Sequence, residues 1–107
     1  MSLGPEAGDR AIELFCGLGE ITTRRLMGGL CLYHHGTIFG MCRPDGAILL
    51  KAAGGFVTEV EAMGSHRWHC IRGNGKAVAM PYWHLPDAAL DDPEMACRLA
   101  RRALDFL

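Results

Sequence analysis

The sequence predicts an α+β domain of two layers, a five-stranded antiparallel sheet with helices on one side. Three observations predict it. Short apolar runs separated by turn residues occupy the middle of the chain. Segments with apolar residues at helical spacing stand before, among and after those runs. Half of the 107 residues are hydrophobic and 21% are charged, which supplies one core but, at this length, not two. No internal repeat, low-complexity tract or Pro/Ser-rich linker divides the sequence, so residues 1–107 read as one domain. Met1, Ser2 and Leu3 fit no pattern and are set apart as a candidate cloning remnant.

The elements follow from periodicity and turn chemistry. Ala11, Phe15 and Leu18 share a helical face with Ile12 and Leu14 nearby, and Gly17 and Gly19 end that helix. From residue 21 the pattern becomes strand-like, with runs at 21–26 and 30–33 separated by Gly28-Gly29. His34-His35-Gly36 closes a hairpin into 37–42, Gly36 supplying positive φ. Arg43-Pro44-Asp45-Gly46 turns the chain back into 47–51, with Pro44 presetting φ and Gly46 tolerating the exit. Phe56, Val57, Val60 and Met63 then predict a short helix stopped by Gly64. Runs 66–72 and 76–80 flank Gly73-Asn74-Gly75 as a second hairpin. In the last helix Asp92 caps, Pro93 opens and Glu94 complements the dipole, and Met95, Leu99, Ala103 and Phe106 form its packed stripe. The expected order is helix, three strands, helix, two strands, helix, with one sheet face left uncovered.

Charge and cysteine usage narrow the functional classes. A net charge of −1 lacks the basic excess of a dedicated nucleic-acid binder, although residues 1–20, 21–86 and 87–107 sum to −3, +4 and −2. Solvated surface charge is the default meaning of that positive middle; steering of an anionic partner is the alternative. Cys16, Cys31, Cys42, Cys70 and Cys97 are odd in number and widely spaced, which fits free thiols in a reducing compartment rather than a disulfide framework. The lack of a signal-type segment or a run of about 20 apolar residues predicts a cytoplasmic location without membrane contact.

Read in order, several short motifs carry a family resemblance. They begin with Thr23-Arg24-Arg25-Leu26-Met27-Gly28-Gly29, Leu32-Tyr33 with Phe39, and Leu49-Leu50-Lys51-Ala52. Gly75-Lys76, Met80, Tyr82-Trp83, Leu85-Pro86, Ala89-Leu90-Asp91-Asp92-Pro93 and Ala100-Arg101-Arg102-Ala103 follow. The ordered set resembles the N-terminal domain of the TfoX/Sxy competence regulators from about Ala11 to the end. The resemblance implies a stand-alone member without the family's C-terminal helical domain. It also implies a regulatory role beside the transcription machinery and no catalytic residues to carry over. Two places depart from the family pattern: Ala53-Gly54-Gly55 replaces a more polar helix entry, and Ala77 replaces a common basic residue.

Each candidate site has a structural and a functional reading. Adjacent strand residues Arg24 and Arg25 point to opposite faces, so only one is expected to be fully solvent-facing, its guanidinium serving either a partner's carboxylate or phosphate, or an ion pair with a helix acid. Gly28, Gly29, Gly36, Gly46 and Gly75 are turn residues; Gly28-Gly29 lacks the spacing and Lys-Ser/Thr ending of a phosphate loop. Tyr82, Trp83 and His84, bounded by Pro81 and Pro86, either anchor a partner or cross the sheet edge to plug the core. Trp68, alternating with Cys70, is expected in the core. His34, His35, His66, His69 and His84 lack metal-ligand spacing with the cysteines, so no metal or other cofactor is expected. Cys42, beside the Arg43 turn, is the best-placed candidate for a reactive thiol and is still expected to be inert.

These readings favour a non-enzymatic regulatory domain acting through protein contacts, with a homodimer as a plausible assembly for an open sheet. The alternative is weak nucleic-acid binding by Arg24, Arg25, Lys51, Arg67, Arg72 and Lys76. A His/Cys metal- or ligand-binding enzyme ranks last.

Overall fold

Asp92 begins the longest helix as the sequence requires, its Oδ1 accepting the Met95 backbone N–H at 3.2 Å, with Pro93 next in line. The structure, a computed structural model, describes residues 5–26 and 28–107. Met1, Ser2 and Leu3, and Met27 of the family motif, lie outside the described residues. The helices are α1 (Pro5–Leu14), α2 (Gly55–Ala62), α3 (Asp87–Leu90) and α4 (Pro93–Leu104). The strands are β1 (Thr22–Leu26), β2 (Gly29–His34), β3 (Thr37–Cys42), β4 (Ile48–Lys51), β5 (Arg67–Ile71) and β6 (Ala77–His84).

The α+β class and the open antiparallel sheet match the sequence reading; the strand count does not. Six strands form the sheet, in the order β1-β2-β3-β4-β6-β5. Each of the four apolar runs before α2 makes its own strand, because three tight turns separate them. Between β2 and β3, His35 and Gly36 hold φ of 49° and 81°, the geometry of a two-residue hairpin whose twist matches its strands. The β3–β4 and β5–β6 turns share one design. Arg43 and Arg72 donate their N–H groups to Ala47 and Lys76 carbonyls, and Asp45 and Asn74 accept from the Ala47 and Lys76 N–H groups.

Three boundaries also differ from expectation. The first helix lies earlier, over Pro5–Leu14, and Cys16–Leu18 is a separate 3-10 turn. The second strand of the second hairpin runs on to His84 instead of stopping before Pro81, so Tyr82, Trp83 and His84 belong to the sheet rather than crossing its edge. Pro81 is tolerated there because the β5–β6 ladder is irregular between Arg67 and His69, while its carbonyl still accepts from Ala52 N–H. Phe106, assigned to the α4 stripe, lies past the helix end and is 40% exposed. Its ring fills the space over Gly54, where an added Cβ would come within 3.0 Å of it. The glycines at the entry of α2 thus make room for the C-terminal aromatic.

One core joins the helices to one sheet face. Ala11, Leu14 and Phe15 of the first helical segment, Phe56 and Val60 of α2, and Ala96, Leu99, Ala100 and Ala103 of α4 cluster with Leu30, Leu32, Phe39, Cys42, Ile48, Leu50 and Trp83. Phe15 and Phe39 meet edge to face at 5.3 Å, where such a pair contributes about 1 kcal/mol beyond its burial. Arg101 donates to the Gly17 carbonyl at 2.7 Å and the Cys97 thiol to the Leu14 carbonyl, so α4 is latched to the chain just after α1. No helix among the described residues is long and apolar enough to cross a membrane.

Candidate interaction surface

Residues directly opposite one another in a sheet project on the same side, so register sorts the two faces. Arg24 pairs with Cys31, Cys31 with Met41, Met41 with Leu49, and Leu49 with His84, a single row across five strands. Tyr33 lies two residues beyond Cys31, and Lys51 pairs with Tyr82 on the same side. Neither Cys31 nor Leu49 belongs to the helix-packed cluster, yet they are 4% and 0% exposed. The half-buried Tyr33, Met41 and Tyr82 therefore roof them from within the sheet. Burial pushes the Cys31 thiol up, opposed by Arg24; burial, then the Cys31 thiol and Tyr33 phenol, push the Tyr82 phenol up.

The two tryptophans lie on opposite faces: Trp83 takes the core position that is one of its two readings, whereas Trp68, expected in the core, does not. Trp83 is 3% exposed and packs against the helices, its indole N–H donating to Glu61 Oε2 at 3.0 Å. Trp68 is half-buried on the opposite face, edge-on to Tyr82 at 6.4 Å with the Arg43 guanidinium 4.8 Å from its ring centre. The reason is register: Arg67 faces Trp83 on the helix side, which turns Trp68 outward. Trp68 and Cys70 do alternate on one face, but it is the face opposite the helix-packed core.

The other candidates separate into three places. Arg24 belongs to the open face and Arg25, opposite Leu30, to the helix side; both are exposed, where the alternation predicts only one, and neither is ion-paired among the described residues. Arg67 donates its Nε–H to the Met80 carbonyl at 2.7 Å and lies over the Trp83 ring, while Arg72 and Lys76 stand at the tip of the β5–β6 hairpin. Gly28, Gly36, Gly46 and Gly75 hold positive φ at turns, whereas Gly29 is the first residue of β2.

A cleft of about 500 Å³ opens at one end of the sheet, lined by Arg10, His66, His84, Asp87, Leu85 and Leu90 among others. His66 and His84 stack there at 4.2 Å, and burial, His66 and Arg43 lower the His84 pKa against an opposing effect of Asp45. No group of three or more His, Cys, Asp or Glu among the described residues is placed to hold a metal ion. Cys42 is fully buried, its thiol pushed up by burial and then by Asp45, which removes the nucleophile from solvent.

Sequence reasoning missed how charge divides between the layers. The sheet segments, residues 21–54 and 65–86, carry seven Lys and Arg and only Asp45, a sum of +6. The remaining segments, which hold the helices, sum to −7. The near-neutral whole hides this separation, and only the topology shows that the positive segments form one layer.

The geometry so far is that of an open, positively charged sheet face with aromatic residues and a helix-covered reverse. A family model described as the TfoX N-terminal domain matches residues 13–107, nearly the whole chain. No curated protein matches it.

Proposed function

Since the chain belongs to the TfoX N-terminal domain family, a competence-related family, we propose that it is a regulatory domain that works by attachment rather than turnover, engaging a protein partner through the open sheet face. The observation that carries this reading is the set of Tyr33, Met41, Trp68 and Tyr82 on a face that no helix among the described residues packs against. Aromatic and Met side chains are the enriched groups of interface centres, and Arg24, Arg43 and Lys51 around them suit an acidic protein surface. The family's link to regulation supports a partner in the transcription machinery, and the thiol-rich composition supports the cytoplasm as its compartment.

A homodimer joined at β1 is part of this reading, because β1 is an edge strand with Thr22 to Arg25 exposed. Pairing two open faces is disfavoured, since each brings Arg24 and Lys51. Light scattering that finds only monomer at high concentration removes the dimer and leaves the face.

Affinity capture from the native cell, with wild type and an Arg24→Glu/Lys51→Glu variant as baits, tests the reading. Transcription proteins held by the wild type and lost by the variant are the expected result. Equal retention by both baits, or recovery of metabolic enzymes alone, overturns it.

A further inference from the structure

The β5–β6 hairpin is set apart from the rest of the sheet by the shortness of its neighbour. β4 meets β6 only at Tyr82, Trp83 and His84, with one further hydrogen bond from Ala52 to Pro81. Residues 69–79 therefore extend beyond β4 as a two-stranded ribbon. Both of its faces meet solvent: His69, Ile71, Ala77 and Ala79 are exposed on one, with Ile71 at 67%, and Cys70 and Val78 are half-buried on the other. At about 3.3 Å per residue, the roughly five residues from His69 to the tip of the turn give a reach of about 16 Å.

The ribbon's charge has one sign. Between Glu61 and Asp87 the sequence contains no acid, while Arg67, Arg72 and Lys76 contribute three cations. Neither Arg72 nor Lys76 is ion-paired among the described residues. A second copy of this hairpin would meet it with the same charge, and an acidic protein surface would use only one of its faces. A polyanion with walls on both sides uses both.

We propose that the β5–β6 ribbon is a binding site for duplex nucleic acid, entering the major groove with Arg72 and Lys76 at its tip against the phosphates. The DNA major groove, about 12 Å wide and 8.5 Å deep, admits a two-stranded ribbon, and the arm is longer than the groove is deep. Gly73, Gly75, Ala77 and Ala79 keep the leading part of the ribbon thin. The helical segments, at −7, orient the domain ribbon-first toward the phosphates. Two phosphate contacts give sequence-independent binding that is weak and salt-dependent. The slope of log K against log salt is about −2, a loss of about 12-fold between 50 and 200 mM salt. This inference concerns a different part of the molecule from the open face and stands or falls separately from it.

Fluorescence anisotropy with a labelled mixed-sequence duplex of about 16 base pairs tests the proposal on the 107-residue chain. The wild type is expected to bind at 20 mM salt with the slope given above and to prefer duplex over either single strand. Arg72→Glu/Lys76→Glu should weaken binding at least tenfold and bring the slope to about zero. Arg72→Gln/Lys76→Gln should weaken it in the same direction, and Arg98→Glu on α4 should leave it unchanged. Circular dichroism establishes that each variant is folded. Absence of duplex binding at 20 mM salt, unaltered binding by both tip variants, or tighter binding of single strands overturns the proposal. So does displacement of the duplex by polyglutamate of equal charge at lower concentration, which assigns the ribbon to acidic protein.

Discussion

Trp83 of β6 donates its indole N–H to Glu61 of α2 at 3.0 Å, so the only polar atom of a buried ring is satisfied by the helix that covers it. The bond joins the sheet to α2 as well as filling the core. Truncation should therefore separate the two tryptophans. Trp83→Ala is expected to cost about 3–5 kcal/mol and Trp68→Ala about 1 kcal/mol or less, measured by urea unfolding. Glu61→Ala, which leaves the indole donor without its partner, should cost about 1–2 kcal/mol. Equal losses at the two tryptophans would contradict their assignment to opposite faces.

Acid should weaken the fold through His84. Burial, then His66 and Arg43, disfavour its charged form, so the folded group takes up its proton below the ordinary value of 6.5. Between the folded and unfolded values the unfolded chain binds more protons, and stability rises with pH across that interval. The urea midpoint is expected to fall as pH drops from about 7.5 to about 5.5, and His84→Gln should flatten the decline. A midpoint that holds steady or rises on acidification in the wild type would contradict this.

Gly40 is required for β3 to approach β4. A Cβ there would lie 2.6 Å from the Leu49 carbonyl oxygen, a backbone atom held in the ladder beside it. Gly40→Ala is accordingly expected to destabilise by about 1–3 kcal/mol, read as a lower thermal midpoint. An unchanged midpoint would mean that the two strands are further apart.

The thiols should fall into reactivity classes set by exposure. Cys16 is exposed and Cys70 half-buried, whereas Cys31, Cys42 and Cys97 are buried. In the native protein a disulfide reagent should modify Cys16 rapidly and Cys70 more slowly, leaving the other three for denaturant. Fast labelling of Cys42, located by peptide mass, would be the contrary result.

Local chemistry was legible in the sequence; long-range register was not. The Asp92-Pro93-Glu94 start of α4 and the positive-φ turns at Gly36, Gly46 and Gly75 depend on neighbours a few residues away. Pro81 was misleading because its missing N–H suggests a strand end, and only the irregular β5–β6 pairing shows why it is accommodated. Tyr33 and Tyr82 reach one surface because β4 pairs with β6 across the intervening α2 and β5, a relationship that no local periodicity encodes. The same pairing separates Trp68 from Trp83. The charge division was hidden for a related reason: acids at Glu59 and Glu61 interrupt the positive middle of the sequence but belong to the helical layer in space.

The most direct measurement is the transcript profile of native cells in which the chain is replaced by Tyr33→Ala/Tyr82→Ala, with its fold verified on the purified protein. If the open face is the working surface, that profile will coincide with the profile of cells lacking the protein. A profile indistinguishable from wild type would contradict the account.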